Sequence, residues 1–114
     1  SKPMLELMDQ LVEVVREIDP RLVARYNKVY IGLGLDGIAN NFISFKPRKK
    51  HLVLHVKIPQ SDETDERLEN TSLQMLEYDR QWRRYRIQVT NADVEKHRDL
   101  LLDLMGQAYT LRNG

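Results

Sequence analysis

Gly32-Leu33-Gly34-Leu35-Asp36-Gly37 has the GxGxxG spacing that in dinucleotide-binding proteins turns backbone N–H groups and a helix N-terminus toward a pyrophosphate. The segment that follows reads as strand and not helix, and position 57, where an acidic residue should meet the ribose, is a lysine. A glycine-rich hairpin, with glycine supplying positive φ, is the better reading, and no cofactor is expected. His51 and His55 have the HxxxH spacing of a helical metal site, but four residues of strand span roughly 13 Å, too far for one ion. His97, among Asp93, Glu95 and Asp99, reads as a surface histidine with local ion pairs. Ser1, Ser44, Ser61 and Ser72 sit in no recognisable nucleophile elbow, and with no cysteine in the chain there is neither a thiol nucleophile nor a thiolate metal site. A nuclease centre built from strand carboxylates and a lysine would find its lysine at Lys57, yet His55 stands where a metal-binding acid should be. No catalytic and no metal-binding residue is therefore expected.

The distribution of charge is more telling than any motif. No Asp or Glu occurs from Gly37 to Ser61, where Lys46, Arg48, Lys49, Lys50 and Lys57 fall, nor from Arg80 to Asn91, which carries Arg80, Arg83, Arg84 and Arg86. Alternation along the strands collects Lys28, Tyr30, His51, His55, Lys57, Trp82, Arg84 and Arg86 on the face away from the apolar side, with Lys46 close by. Cations interleaved with aromatic rings suit a single-stranded nucleic acid, because the cations meet phosphates and the rings stack on bases. The same pattern fits a solvated face protected by long basic side chains, and it fits a protein contact surface. Trp82 also fits a core position at a strand start.

Those side chains need elements to position them. Met4, Leu7, Met8, Leu11, Val14, Val15 and Ile18 recur at helical spacing, and Asp19-Pro20 stops the helix. Residues 26–33 read as an aromatic, β-branched strand, closed by the Asp36-Gly37 turn signal. Further strands are expected at about 41–46 and at 51–58, where Leu52, Leu54, Val56 and Ile58 point one way. Residues 59–79 read as an acidic loop with at most one helical turn. Trp82 to Val89 alternates as a fourth strand, and Thr90-Asn91-Ala92-Asp93 resembles a capping box before a second helix ending near Leu111. The expected fold is α+β: a two-layer domain spanning 1–114, with an antiparallel sheet of about four strands and the N- and C-terminal helices on one face.

Composition is consistent with one globular domain. Hydrophobic residues make up 41% and charged residues 31%, enough to fill a core and solvate a surface, while a formal charge of +1 leaves any electrostatic preference to distribution. No apolar run approaches the ~20 residues that cross a bilayer, so no membrane partner is expected, and the lack of cysteine favours a cytoplasmic location.

Taken in order, the opening amphipathic helix, Tyr26-Asn-Lys-Val-Tyr-Ile, Asn41-Phe42, the Lys-rich connector into His51-Leu-Val-Leu-His-Val-Lys57, the arginine-bearing fourth strand and the closing helix near Ala108-Tyr109 resemble a small uncharacterised bacterial domain. That domain is sometimes labelled a predicted transport protein, and it occurs alone or C-terminal to nuclease-like and restriction-associated domains. The chain departs from the pattern in Leu76-Glu-Tyr-Asp-Arg80, where glycine is usual. The resemblance implies an accessory module of a larger nuclease or defence-associated protein. The expected function is non-catalytic binding of nucleic acid through Lys28, Tyr30, Lys46, Lys57, Trp82, Arg84 and Arg86. The alternative is a protein-interaction or dimerisation module using the sheet or its edge.

Overall fold

Alternation along the strands sorts their side chains into an apolar set and a polar set, and the helices cover only the apolar one. A computed structural model describes residues 2–114. Helix α1 (Lys2–Ile18) is followed by strands β1 (Val23–Tyr26), β2 (Ile31–Leu35), β3 (Ile38–Ala39), β4 (Ile43–Pro47) and β5 (Leu52–Val56). Helix α2 (Asp62–Glu69), strands β6 (Gln74–Met75) and β7 (Tyr85–Val89), and helices α3 (Asn91–Lys96) and α4 (Arg98–Asn113) complete the chain. All pairings are antiparallel, in the order β1-β2-β4-β5-β7-β6, with β3 as a short addition to β2. The fold is thus α+β, as expected, with seven strands in place of about four.

In the centre of the sheet, Ile43 faces Val56, Phe45 faces Leu54, and Leu54 faces Ile87. These side chains pack with Leu7, Leu11, Val14 and Val15 of α1 and with Leu101, Leu104, Met105 and Ala108 of α4, all buried. Burying a Leu, Ile, Val or Phe side chain contributes about 1.5–3 kcal/mol by transfer. That gain drives both terminal helices onto one face.

Several local expectations need correction. Residues 26–33 are not one strand: Asn27 N–H donates to the Tyr30 carbonyl across a turn that separates β1 from β2. An aromatic, β-branched run satisfies the strand pattern, but its end pairs back on residues 23–26, with Tyr26 opposite Ile31, and so closes a hairpin. Residues 59–79 hold α2, capped by Ser61 Oγ accepting from Thr64 N–H, and β6. Trp82 lies outside β7, on a turn in which Arg83 has φ 54°. The last helix is two: Thr90 and Asp93 form the anticipated capping box, but α3 ends at His97 and α4 starts anew.

The Asp36-Gly37 turn is as expected, with φ of 53° and 80°. Gly32 and Gly34 serve a different purpose from the positive φ foreseen for that loop. A Cβ on Gly32 would lie 2.3 Å from Asn41 Oδ1, and one on Gly34 would lie 2.7 Å from Arg25 Cδ. They are glycine because side chains from neighbouring segments cross the strand there.

Asp19 does more than stop α1. Its carboxylate accepts from the Arg21 guanidinium and backbone N–H and, at 2.7 Å, from Tyr109 Oη of α4. The hydrogen bonds from Arg21 and then Tyr109 hold its pKa well below the usual carboxylate range.

Candidate nucleic-acid interface

The face of the sheet away from the helices is set by the register that builds the core. Ser44 pairs with His55, Lys46 with Val53, His55 with Arg86 and Val53 with Gln88, so these side chains share the open side. Near its middle lies a concavity of about 350 Å³ lined by Val29, Tyr30, Asn41, Ser44, Lys46, His55, Lys57, Trp82 and Arg84. Strands β4 and β5 supply Ser44, Lys46 and His55, and the segments before β2, before β4, after β5 and before β7 supply the rest, which explains why no local motif announces it.

Of the residues expected at a site, Tyr30, Lys46, Lys57, Trp82 and Arg84 come together around this concavity. Arg86 is beside it on the same face, opposite His55. Lys28 is not part of the lining. It sits exposed on the β1–β2 turn, because that segment folds as a hairpin instead of continuing as a strand. Trp82 is reached by a different route from the one expected. It is 61% exposed and arrives on the turn before β7, where its backbone N–H donates to Asp79 Oδ1. The core position that also fitted Trp82 is thereby excluded.

Asp79 organises that turn. Its other oxygen accepts from Arg84 Nε at 3.1 Å, and Asp79 and Arg84 exchange backbone hydrogen bonds. The Trp82 backbone N–H first, and Arg84 in addition, hold the Asp79 carboxyl below its ordinary value. Arg86 Nε donates to the Glu77 carbonyl, which fixes its guanidinium along the face.

Sequence reasoning missed the floor. Ser44 and His55 are both buried, on neighbouring strands in register, with Ser44 Oγ and His55 Nδ1 3.4 Å apart. Burial, reinforced by the positive charges of Arg84, Arg86 and Lys46, pushes His55 down to about 4, so the ring is neutral at pH 7. Burial, then Arg84 and Arg112, also lowers the Lys57 pKa. Pairing Ser44 with His55 requires the β4–β5 register, which the short basic connector Pro47–Lys50 hinted at. Asn41 was read only as part of a strand motif, but its Oδ1 accepts from Leu33 N–H across the space Gly32 leaves open.

Among the described residues, no cluster of three His, Asp or Glu side chains is placed to hold a metal ion, and no helix is long and apolar enough to cross a membrane. Comparison with known proteins returns no match: no family model fits the chain, and no curated protein and no solved structure is significantly similar to it.

Proposed function

We propose that this chain is a non-catalytic module that binds nucleic acid through the uncovered sheet face, with Lys46, Lys57, Arg84 and Arg86 meeting phosphates and Tyr30 and Trp82 stacking on bases. The observation that carries this reading is the imbalance of the concavity: three cationic side chains and two aromatic rings line it, and no carboxylate does. Beyond the Asp79–Arg84 pair these cations have little counter-charge: burial first, and the neighbouring positive charges in addition, depress the His55 and Lys57 pKa values, and a bound polyanion offsets the electrostatic part of that cost. An acyl-transfer role for Ser44 and His55 has less support, because no carboxylate hydrogen-bonds the imidazole to orient it. Lys28, displaced to the hairpin turn, is left with at most a peripheral phosphate contact. The resemblance noted above supports placing the module beside a nuclease-like domain in a longer protein, and the lack of cysteine supports a cytoplasmic one.

Mobility shifts with single-stranded and duplex oligonucleotides at about 50 mM salt test the proposal, since screening is weak there. If four cations each meet one phosphate of a single strand, log K falls against log salt with a slope of about 2.8, or ~0.7 per contact. No shift with either oligonucleotide sinks the reading.

A second reading has its own observation. The outer strand β1 and its surroundings expose Val23, Tyr26, Val29 and Ile38, each more than half accessible, beside a free strand edge. A second copy pairing along β1 would cover them. Light scattering that gives a constant monomer mass over a wide concentration range excludes it.

A further inference from the structure

We propose that the concavity is a seat for a nucleotide phosphomonoester, the terminal phosphate of a strand or of a free nucleotide, and not for an internal phosphodiester. The strand-end form of this proposal rests on the nucleic-acid reading above. Charge is the first argument. Lys46, Lys57 and Arg84 line the site and only the Asp79 carboxylate, bound to Arg84, offsets them, which leaves a surplus of about two positive charges. A phosphodiester carries one negative charge, whereas a phosphomonoester carries roughly −1.5 to −2 near neutral pH.

The polar lining is the second argument, because it consists of donors. Leu33 N–H occupies Asn41 Oδ1, so the side of this amide left for a ligand is its Nδ2 group. His55 is nine-tenths buried and bonds through Nδ1 to Ser44, and among the described residues its Nε2 has no hydrogen-bond partner. When the Ser44 hydroxyl donates to Nδ1, the neutral ring carries its hydrogen on Nε2 and presents one more donor to the concavity it lines. Two ammonium groups, a guanidinium, an amide NH₂ and an imidazole N–H surround a volume of about 350 Å³. Three terminal phosphate oxygens can take up that many donors, and a diester has only two oxygens free. Tyr30, Val29 and Trp82 complete the lining, where a sugar or base attached to the phosphate would stack.

The test uses the full chain, with emission from Trp82, its single tryptophan, as the signal. The probes are oligothymidylates of about ten nucleotides, carrying a 5′-phosphate, a 3′-phosphate or hydroxyls at both ends, together with thymidine monophosphate and inorganic phosphate. One phosphorylated end is expected to bind about tenfold tighter than the hydroxyl-ended strand, because a further charge enters a partly desolvated cationic site. Lys57→Gln should remove most of that preference. Lys46→Gln provides the same readout if Lys57→Gln fails to fold. The imidazole ¹⁵N shifts of His55 should move with the phosphorylated strand and not with the hydroxyl-ended one. Equal affinity for all three strands overturns the phosphomonoester seat and leaves strand binding standing. Thymidine monophosphate binding as tightly as the phosphorylated strand supports the seat and overturns the strand reading. Silence from every probe overturns both.

Discussion

The two faces of the sheet are made by the same strands, residue by residue in alternation, and yet they follow different rules. On the helix side, Leu52, Leu54 and Val56 of β5 are fully buried against Ile43, Phe45, Ile87 and Val89, and each gains by leaving water whatever the identity of its neighbour. On the open side, the intervening Val53 and His55 are also nearly buried, but by long polar neighbours such as Lys46 and Arg86 and not by helices. The first face is satisfied by packing alone. The second leaves cations close together and an imidazole held neutral, an arrangement that packing alone does not require. Most of the packing belongs to one face, and the proposed ligand chemistry to the other.

The sharpest way to break this contrast is to truncate both faces. Leu54→Ala, Ile87→Ala and Leu101→Ala should each cost about 2–5 kcal/mol in urea melts, the usual range for a large buried aliphatic residue. Lys46→Ala on the open face should cost no more than about 1 kcal/mol. Similar losses on the two faces would erase the distinction.

Acid titration gives the next largest effect. The folded-state pKa of His55, about 4, lies below the ordinary value of 6.5, so the unfolded chain binds more protons than the folded one between these values. The stability that His55 supplies is full above pH 6.5 and is lost as pH falls toward 4, with a slope of at most about 1.4 kcal/mol per pH unit. Asp19, Asp79 and Asp103, all shifted down, add losses only below their unfolded value of 3.8. Melts at pH 7, 6 and 5 of the wild type and of His55→Gln separate the two sources, because the variant should flatten the upper window. A wild-type stability that is level from pH 7 to 5 would show His55 to be solvated, and the floor of the concavity with it.

The smallest effect on folding should come from Trp82→Ala. The exposed ring packs on no core residue, so the melt should move by less than about 0.5 kcal/mol, while binding of a single strand should weaken by about 1–3 kcal/mol. Loss of stability without loss of binding would reverse the roles assigned to this turn.

Much of the frame is legible in the sequence. Leu7, Leu11, Val14 and Val15 repeat at helical spacing, Leu52, Leu54 and Val56 alternate, and Thr90 with Asp93 has capping-box chemistry, so α1, β5 and the start of α3 follow from local patterns. Local pattern failed where long-range hydrogen bonding decided the outcome. Residues 26–33 alternate well enough for one strand, but a turn at 27–30 separates β1 from β2, and this leaves Lys28 on the turn and outside the lining of the concavity.

The sequence by itself determined that basic residues would share one side of the strands, because side-chain direction alternates strictly along an extended backbone. It also determined, by withholding acids from residues 37–61 and 80–91, that little counter-charge would be near them. Tertiary structure alone decided the depth of the site. Ser44 meets His55 only through the β4–β5 register, Asn41 is oriented by Leu33 across the gap at Gly32, and Trp82 reaches the rim on a turn held by Asp79. The physical reason is that the alternation which sets a side chain's face is local, whereas the partner it meets there depends on register and loop closure between segments far apart in the chain.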